Sequence, residues 1–148
     1  MEKLLSNDIA QQVKEVFAEN LLEPVKILFF GSESRCEYCE PARSLLEEIT
    51  PLSDKISFDS YDIDLDPETA KKYRVDKTPG IVIASHRGGK IIDYGIRYAG
   101  MPSGHEFTSL INDIIMVSQG ASGLTETSRA FLATVDREIL LQVYVTPT

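Results

Sequence analysis

Two cysteines, Cys36 and Cys39, stand two residues apart between an apolar run, Val25-Lys26-Ile27-Leu28-Phe29-Phe30, and a helical pattern carrying Ala42, Leu45, Leu46 and Ile49. They are the only cysteines in the chain. A bridge between them closes a very small loop, so it constrains little of the unfolded chain and stabilises little. A disulfide framework in a small secreted domain uses more cysteines at wider spacing. A zinc site needs four ligands, and only His86 and His105 remain as nitrogen donors, neither at partner-like spacing. An iron–sulfur cluster shared between two chains is the other metal alternative. The residues imply no metal and no cofactor. The pair is better explained by its own sulfur chemistry.

Attack on a disulfide requires a thiolate, whereas a free thiol is mostly protonated at neutral pH. Cys36 is expected at a helix N-terminus, where unpaired backbone N–H groups and the positive end of the helix dipole lower its pKa. Arg35 acts in the same direction, while Glu37 and Glu40 oppose it. Cys39, about one helical turn later, is expected to be more buried and to resolve the mixed disulfide that Cys36 forms. Tyr38 is expected at the rim, available to a substrate.

The 148 residues suit one compact domain with its own core. A formal net charge of −8 excludes a nucleic-acid partner, which needs a basic surface. The longest apolar stretches, Val25 to Phe30 and Ile139 to Val145, are too short to span a bilayer. The N-terminus lacks the apolar core of a signal peptide. A cytoplasmic protein without a membrane partner is therefore expected.

Ser6 is placed to cap a first helix whose stripe is Ile9, Val13, Val16 and Phe17. Strand Val25–Phe30, the cysteine-bearing helix, and strand Ile56–Ile63 follow. Asp66-Pro67-Glu68 opens a short helix through Tyr73, and Thr78-Pro79 leads into strand Gly80–Ala84. Gly88-Gly89 signals a hairpin to strand Ile91–Tyr98, and Ser103 is placed to cap a helix carrying Phe107, Leu110, Ile111, Ile114 and Ile115. This is a β-α-β half followed by a β-β-α half: an α/β protein whose mixed central sheet is flanked by helices, with an extra N-terminal helix. The order resembles a thioredoxin fold. A proline opening a strand cannot donate to the ladder, and a cis peptide at Thr78-Pro79 would expose the Thr78 backbone to a substrate chain beside the sulfurs.

Residues 1–118 read as the thioredoxin-like domain. Residues 119–148 read as a linker, a helix from Glu126 to Val135 and a strand from Arg137 to Val145, an apolar run like that of Val25–Phe30. An apolar strand without its sheet invites pairing with another chain, so a homodimer through the C-terminal strand is expected.

The segments Phe29-Phe30…Cys36-Glu37-Tyr38-Cys39, Lys72-Tyr73-Arg74-Val75-Asp76-Lys77-Thr78-Pro79 and Gly95 to Phe107 resemble the N-terminal unit of the glutaredoxin-like protein disulfide oxidoreductases. That family is associated with thermophiles and carries two tandem thioredoxin folds, each usually with its own C-x-x-C. The resemblance extends to Val143-Tyr144-Val145-Thr146-Pro147-Thr148, which in the family directly precedes the second C-x-x-C; the chain is expected to be a shortened N-terminal unit.

The resemblance implies a thiol–disulfide oxidoreductase acting on protein disulfides and dithiols. Cys36 would be its nucleophile, Cys39 its resolving cysteine and Pro79 its cis-proline, with a thioredoxin-reductase-like flavoprotein as an electron partner. The buried acid that thioredoxins place on the strand before the active site has no counterpart in Val25–Phe30, leaving Glu40 or a water as proton acceptor for Cys39. The alternative is a docking module whose cysteine pair relays electrons only within a larger two-unit protein, as in the related tandem folds of peroxide-reductase flavoproteins.

Overall fold

The computed structural model describes residues 3–146. Helix α1 spans Asn7–Asn20 and is followed by β1 (Val25–Gly31), α2 (Cys39–Ile49) and β2 (Ile56–Asp62). After these come α3 (Pro67–Lys72), β3 (Gly80–Arg87), β4 (Lys90–Ala99), α4 (His105–Gln119) and α5 (Glu126–Leu132). The sheet order is β2-β1-β3-β4. β1 is parallel to β2 and antiparallel to β3, and β3 is antiparallel to β4. The expected mixed sheet with flanking helices is the architecture observed.

β1 lies between two strands with both faces covered, which is why it reads as one apolar run rather than an alternation. Val25, Ile27 and Phe29 join Ile81 and Ile83 against α1, α2 and α4. Leu28, Phe30 and Val82 face the opposite side, where Ala70 and Tyr73 of the α3 region cover them. Tyr61 stacks on Phe30 there, with ring centroids 5.4 Å apart.

Local signals account for most boundaries. The Ser6 hydroxyl accepts a hydrogen bond from the Ile9 N–H at the start of α1. Val13 and Phe17 are buried as expected, whereas Ile9 and Val16 lie on the exposed side of that helix. Gly88 and Gly89 both take positive φ, as a two-residue hairpin turn requires, and they join Arg87 to Lys90.

The expected cap at Ser103 is corrected. α4 begins one residue later behind Gly104, whose positive φ a serine would resist, and no side chain caps it. It runs to Gln119, one residue past the expected domain boundary. α5 stops at Leu132 rather than Val135 and buries no residue.

The expected C-terminal strand does not form among the described residues. Positions 135–146 carry no regular secondary structure, and Ile139, Leu140, Leu141, Val143 and Tyr144 are each at least 67% exposed. A strand exists only through a ladder to a neighbour, and this segment has none; an apolar composition alone does not create one. Pro147 and Thr148 lie outside the described residues.

Candidate redox site

β1 ends at Gly31, and residues 32–35 turn the chain into Cys36 before α2. Cys36 and Cys39 are joined in a disulfide, with their Cα atoms 5.4 Å apart. α2 starts at Cys39, so Cys36 sits just ahead of the helix rather than on its first turn. Pro41 explains the correction. It has no N–H to donate, which costs nothing within the first turn of a helix beginning at Cys39. In a helix beginning at Cys36 the same proline would fall in the interior and break it. The N-terminus of α2 has no side-chain cap, and its positive end lies toward the loop that carries Cys36.

The two sulfurs differ in accessibility in the expected sense. Cys36 is half-buried, while Cys39 is 8% exposed within the main core. Gly31 makes room for Cys39: a Cβ at that position would lie 3.4 Å from the Cys39 sulfur and 2.9 Å from Phe29 Cε1. Tyr38, the residue before the helix, is 56% exposed.

The Thr78–Pro79 peptide is cis. The β1–β3 register pairs Phe30 with Gly80, so Pro79 falls opposite Gly31, the glycine that abuts Cys39. The Pro79 carbonyl accepts from the Gly100 N–H at 2.8 Å, and among the described residues no backbone hydrogen bond engages Thr78. The fold thus brings the two segments that sequence singled out to the same end of the sheet.

The charges around the pair are arranged differently from expectation. Arg35 is not a free cation beside Cys36, because its guanidinium is paired with the Asp64 carboxylate. Asp64 also accepts from the Ser32 hydroxyl at 2.6 Å and from Ser34 at 3.5 Å. The Ser32 hydrogen bond above all, then Arg35 and Ser34, holds the Asp64 carboxyl below the usual carboxylate range. Glu40 is tied to Arg43 at 2.6 Å.

Sequence reasoning missed Gly31, Asp62 and Asp64. Asp62 accepts from the backbone N–H groups of Glu33, Asp64 and Leu65 at 3.0, 2.8 and 3.3 Å. Together the two aspartates bind the loop before Cys36 to the end of β2. The available signal was an Asp-Ile-Asp run at the end of a strand parallel to β1.

Among the described residues no group of three or more His, Cys, Asp and Glu side chains could hold a metal ion. No described helix is long and apolar enough to cross a membrane.

No family model matches the chain. Among solved structures it resembles a protein disulfide oxidoreductase from Aeropyrum pernix, with a TM-score of 0.76 and 24% identity. That match covers 87% of this chain and 54% of the other. The N-terminal domain of the alkylhydroperoxide reductase AhpF from Enterococcus faecalis superposes with a TM-score of 0.73 and 28% identity, over 85% of this chain and 58% of that one. The chain is a thioredoxin-fold protein.

Among curated proteins this thioredoxin-fold chain is 40% identical over 86 residues to an alkyl hydroperoxide reductase component from Xanthomonas campestris. That match takes in 55% of this chain and 14% of the relative. The resemblance to the tandem disulfide oxidoreductases, read from motifs, returns as a structural likeness. The thioredoxin-fold chain spans little more than half of either solved chain and a small fraction of the curated relative's length.

Proposed function

We propose that this protein is a thiol–disulfide oxidoreductase that exchanges disulfides with protein substrates through Cys36 and Cys39. The observation that carries the reading is the Cys36–Cys39 disulfide at the start of α2, with Cys36 the more exposed of the two cysteines. In the reductive direction the Cys36 thiolate attacks a substrate disulfide, forming a mixed disulfide and expelling one substrate sulfur as a thiolate, which takes up a proton. Cys39 then loses its proton and attacks the Cys36 sulfur. The Cys36–Cys39 disulfide forms and the second substrate thiolate leaves, so two electrons pass to the substrate. The reverse sequence oxidises a dithiol.

Thr78 and Pro79, at the same end of the sheet, present backbone to an extended substrate segment, and Tyr38 offers it an exposed aromatic face. Glu40 is engaged by Arg43, which favours water as the acceptor of the Cys39 proton. Two shallow surface depressions, about 610 and 540 Å³, are lined by other residues than the cysteines.

This reading places the protein in the cytoplasm, reduced by a thioredoxin-reductase-like flavoprotein. Insulin reduction and refolding of a scrambled protein test it. Cys36→Ser is expected to abolish both activities, and unchanged activity in that variant would sink the assignment.

A second reading is supported by the share of the relatives that the chain spans, 54% to 58% of the solved chains and 14% of the curated one. Here residues 1–118 form one working unit, and residues 119–148 are a linker and a segment that would become a strand only once joined to a second unit. The cysteine pair then relays electrons within a larger protein. An isolated chain that is inactive, but active once joined to a second thioredoxin-fold unit, favours this reading.

A further inference from the structure

The loop between β1 and Cys36 is held by a carboxylate from the far end of β2. Asp64 takes the hydroxyl of Ser32, which is 4% exposed, the hydroxyl of Ser34 and the guanidinium of Arg35. Asp62 fixes the backbone at both ends of this contact, through the N–H groups of Glu33 and Asp64. The carboxylate is therefore built into position from two directions, and Arg35, the residue bonded directly to Cys36, is turned onto it.

We propose that Asp64 is a positioning residue that sets the acidity of the Cys36 thiol by capturing the charge of Arg35. The inference rests on the exchange reading of the cysteine pair and deepens it.

A guanidinium adjacent to a thiol favours the thiolate, and the same guanidinium paired with a carboxylate contributes little net field. The other charges flanking the cysteines are already balanced or acidic. Glu40 is paired with Arg43, and Asp76 with Lys77 in the loop before Pro79. Glu33 and Glu37 add negative charge within the segment itself. Arg35 is thus the cation best placed to tune the site, and Asp64 decides whether it does. With the pair formed, Cys36 keeps a less acidic thiol and the disulfide is harder to reduce. With the pair broken, the thiolate is stabilised and the disulfide becomes more oxidising.

The test is a double-mutant cycle on the reduced full chain, read from the pH dependence of Cys36 alkylation by iodoacetamide. Asp64→Asn is nearly isosteric and keeps an oxygen for Ser32. It is expected to lower the Cys36 pKa by about half to one unit. At a pH where the thiol is fully ionised, a full unit corresponds to a tenfold shift toward the reduced form, about 30 mV in reduction potential.

Arg35→Gln alters a side chain that is 68% exposed, so folding is not at stake, and it leaves Asp64 without its cation. With the guanidinium already drawn off the thiol by Asp64, it is expected to shift the pKa by less than Asp64→Asn does. In the Arg35→Gln background the further change Asp64→Asn is expected to give less than about a third of its effect in the wild-type chain. Equal shifts in both backgrounds, no shift, or a shift of opposite sign would overturn the proposal.

The alkylation readout needs no substrate or reductase. A cycle that behaves as expected in a chain without exchange activity keeps the Asp64 role and removes the catalytic reading. Exchange activity with additive shifts does the reverse.

Discussion

Gly31 has no space for a methyl group. Its Cα faces the edge of the buried Phe29 ring and the Cys39 sulfur, and a Cβ would come within 2.9 and 3.4 Å of them. Either the ring or the sulfur must move to admit one, and Phe29 is held in the core at 2% exposure. Gly31→Ala is expected to cost about 1–3 kcal/mol, the usual range for overpacking a well-filled interior. Urea denaturation measures it, and a loss below about 0.5 kcal/mol would mean that the site relaxes freely. A residue without a side chain carries no chemistry of its own and leaves no motif, so its importance emerges only once β1, β3 and α2 converge on it.

At the scale of elements, two polar contacts hold pieces that hydrophobic packing alone would leave free to shift. Ser118, fully buried near the end of α4, accepts from the Leu22 and Glu23 N–H groups and donates to the Glu23 carbonyl at 2.7 Å. It fastens α4 to the α1–β1 connection across 96 positions of sequence. Ser118→Ala removes the hydroxyl from the Leu22 N–H and the Glu23 carbonyl, while the Glu23 N–H keeps the residue 118 carbonyl at 3.3 Å, and is expected to destabilise by about 1–3 kcal/mol, seen as a lower thermal midpoint. In the sequence this serine is only the last residue of the expected domain, since nothing local reveals a contact 95 residues away.

The second contact joins Arg97 to Asp93 on β4, at 2.8 and 2.6 Å, while Arg97 also donates to the Tyr73 carbonyl. Arg97 first, aided by the Gly95 N–H, pulls the Asp93 carboxyl below its ordinary value of 3.8. A carboxylate depressed in the folded state adds stability above its unfolded pKa and loses it as the pH falls through the folded value. Asp93→Asn is therefore expected to cost about 0.5–1 kcal/mol at pH 7. That gap should close below about pH 4. Chemical denaturation at a series of pH values checks it, and a difference that widens in acid would contradict the assignment.

For the whole molecule, the buried core resides in residues 3–121, whereas after Gly123 no large apolar side chain among the described residues is buried. α5 buries nothing, and the segment after it is joined to the body by the Arg74–Glu138 pair, whose side chains are 74% and 81% exposed. A pair so exposed contributes little. Deleting residues 122–148 is expected to leave the thermal midpoint within a few degrees of the full chain. The apolar run from Ile139 to Val145 and the edge strand β4, with Ile91, Ile92 and Tyr94 exposed, are two surfaces suited to strand pairing between copies. The full chain is expected to self-associate with concentration and the shortened one to sediment as a monomer; a monomeric full chain at high concentration would count against strand exchange.

The cysteine pair, the order of strands and helices, the Gly-Gly hairpin and the Ser6 cap were legible in the sequence because each is a local pattern. Spacing sets the loop between two sulfurs, periodicity sets which face of a helix is apolar, and a glycine or serine at a chain turn acts on its immediate neighbours. The same local reasoning predicted a strand after Arg137, and it failed there because a strand is a relation between segments rather than a property of one. Tertiary structure decided where Pro79 falls against Gly31, and that Arg35 turns to Asp64. The first depends on β1 lying antiparallel to β3, the second on β1 and β2 lying parallel, which brings residues 32 positions apart into hydrogen-bonding reach. The sequence located the sulfurs; the charge that surrounds them was settled by packing.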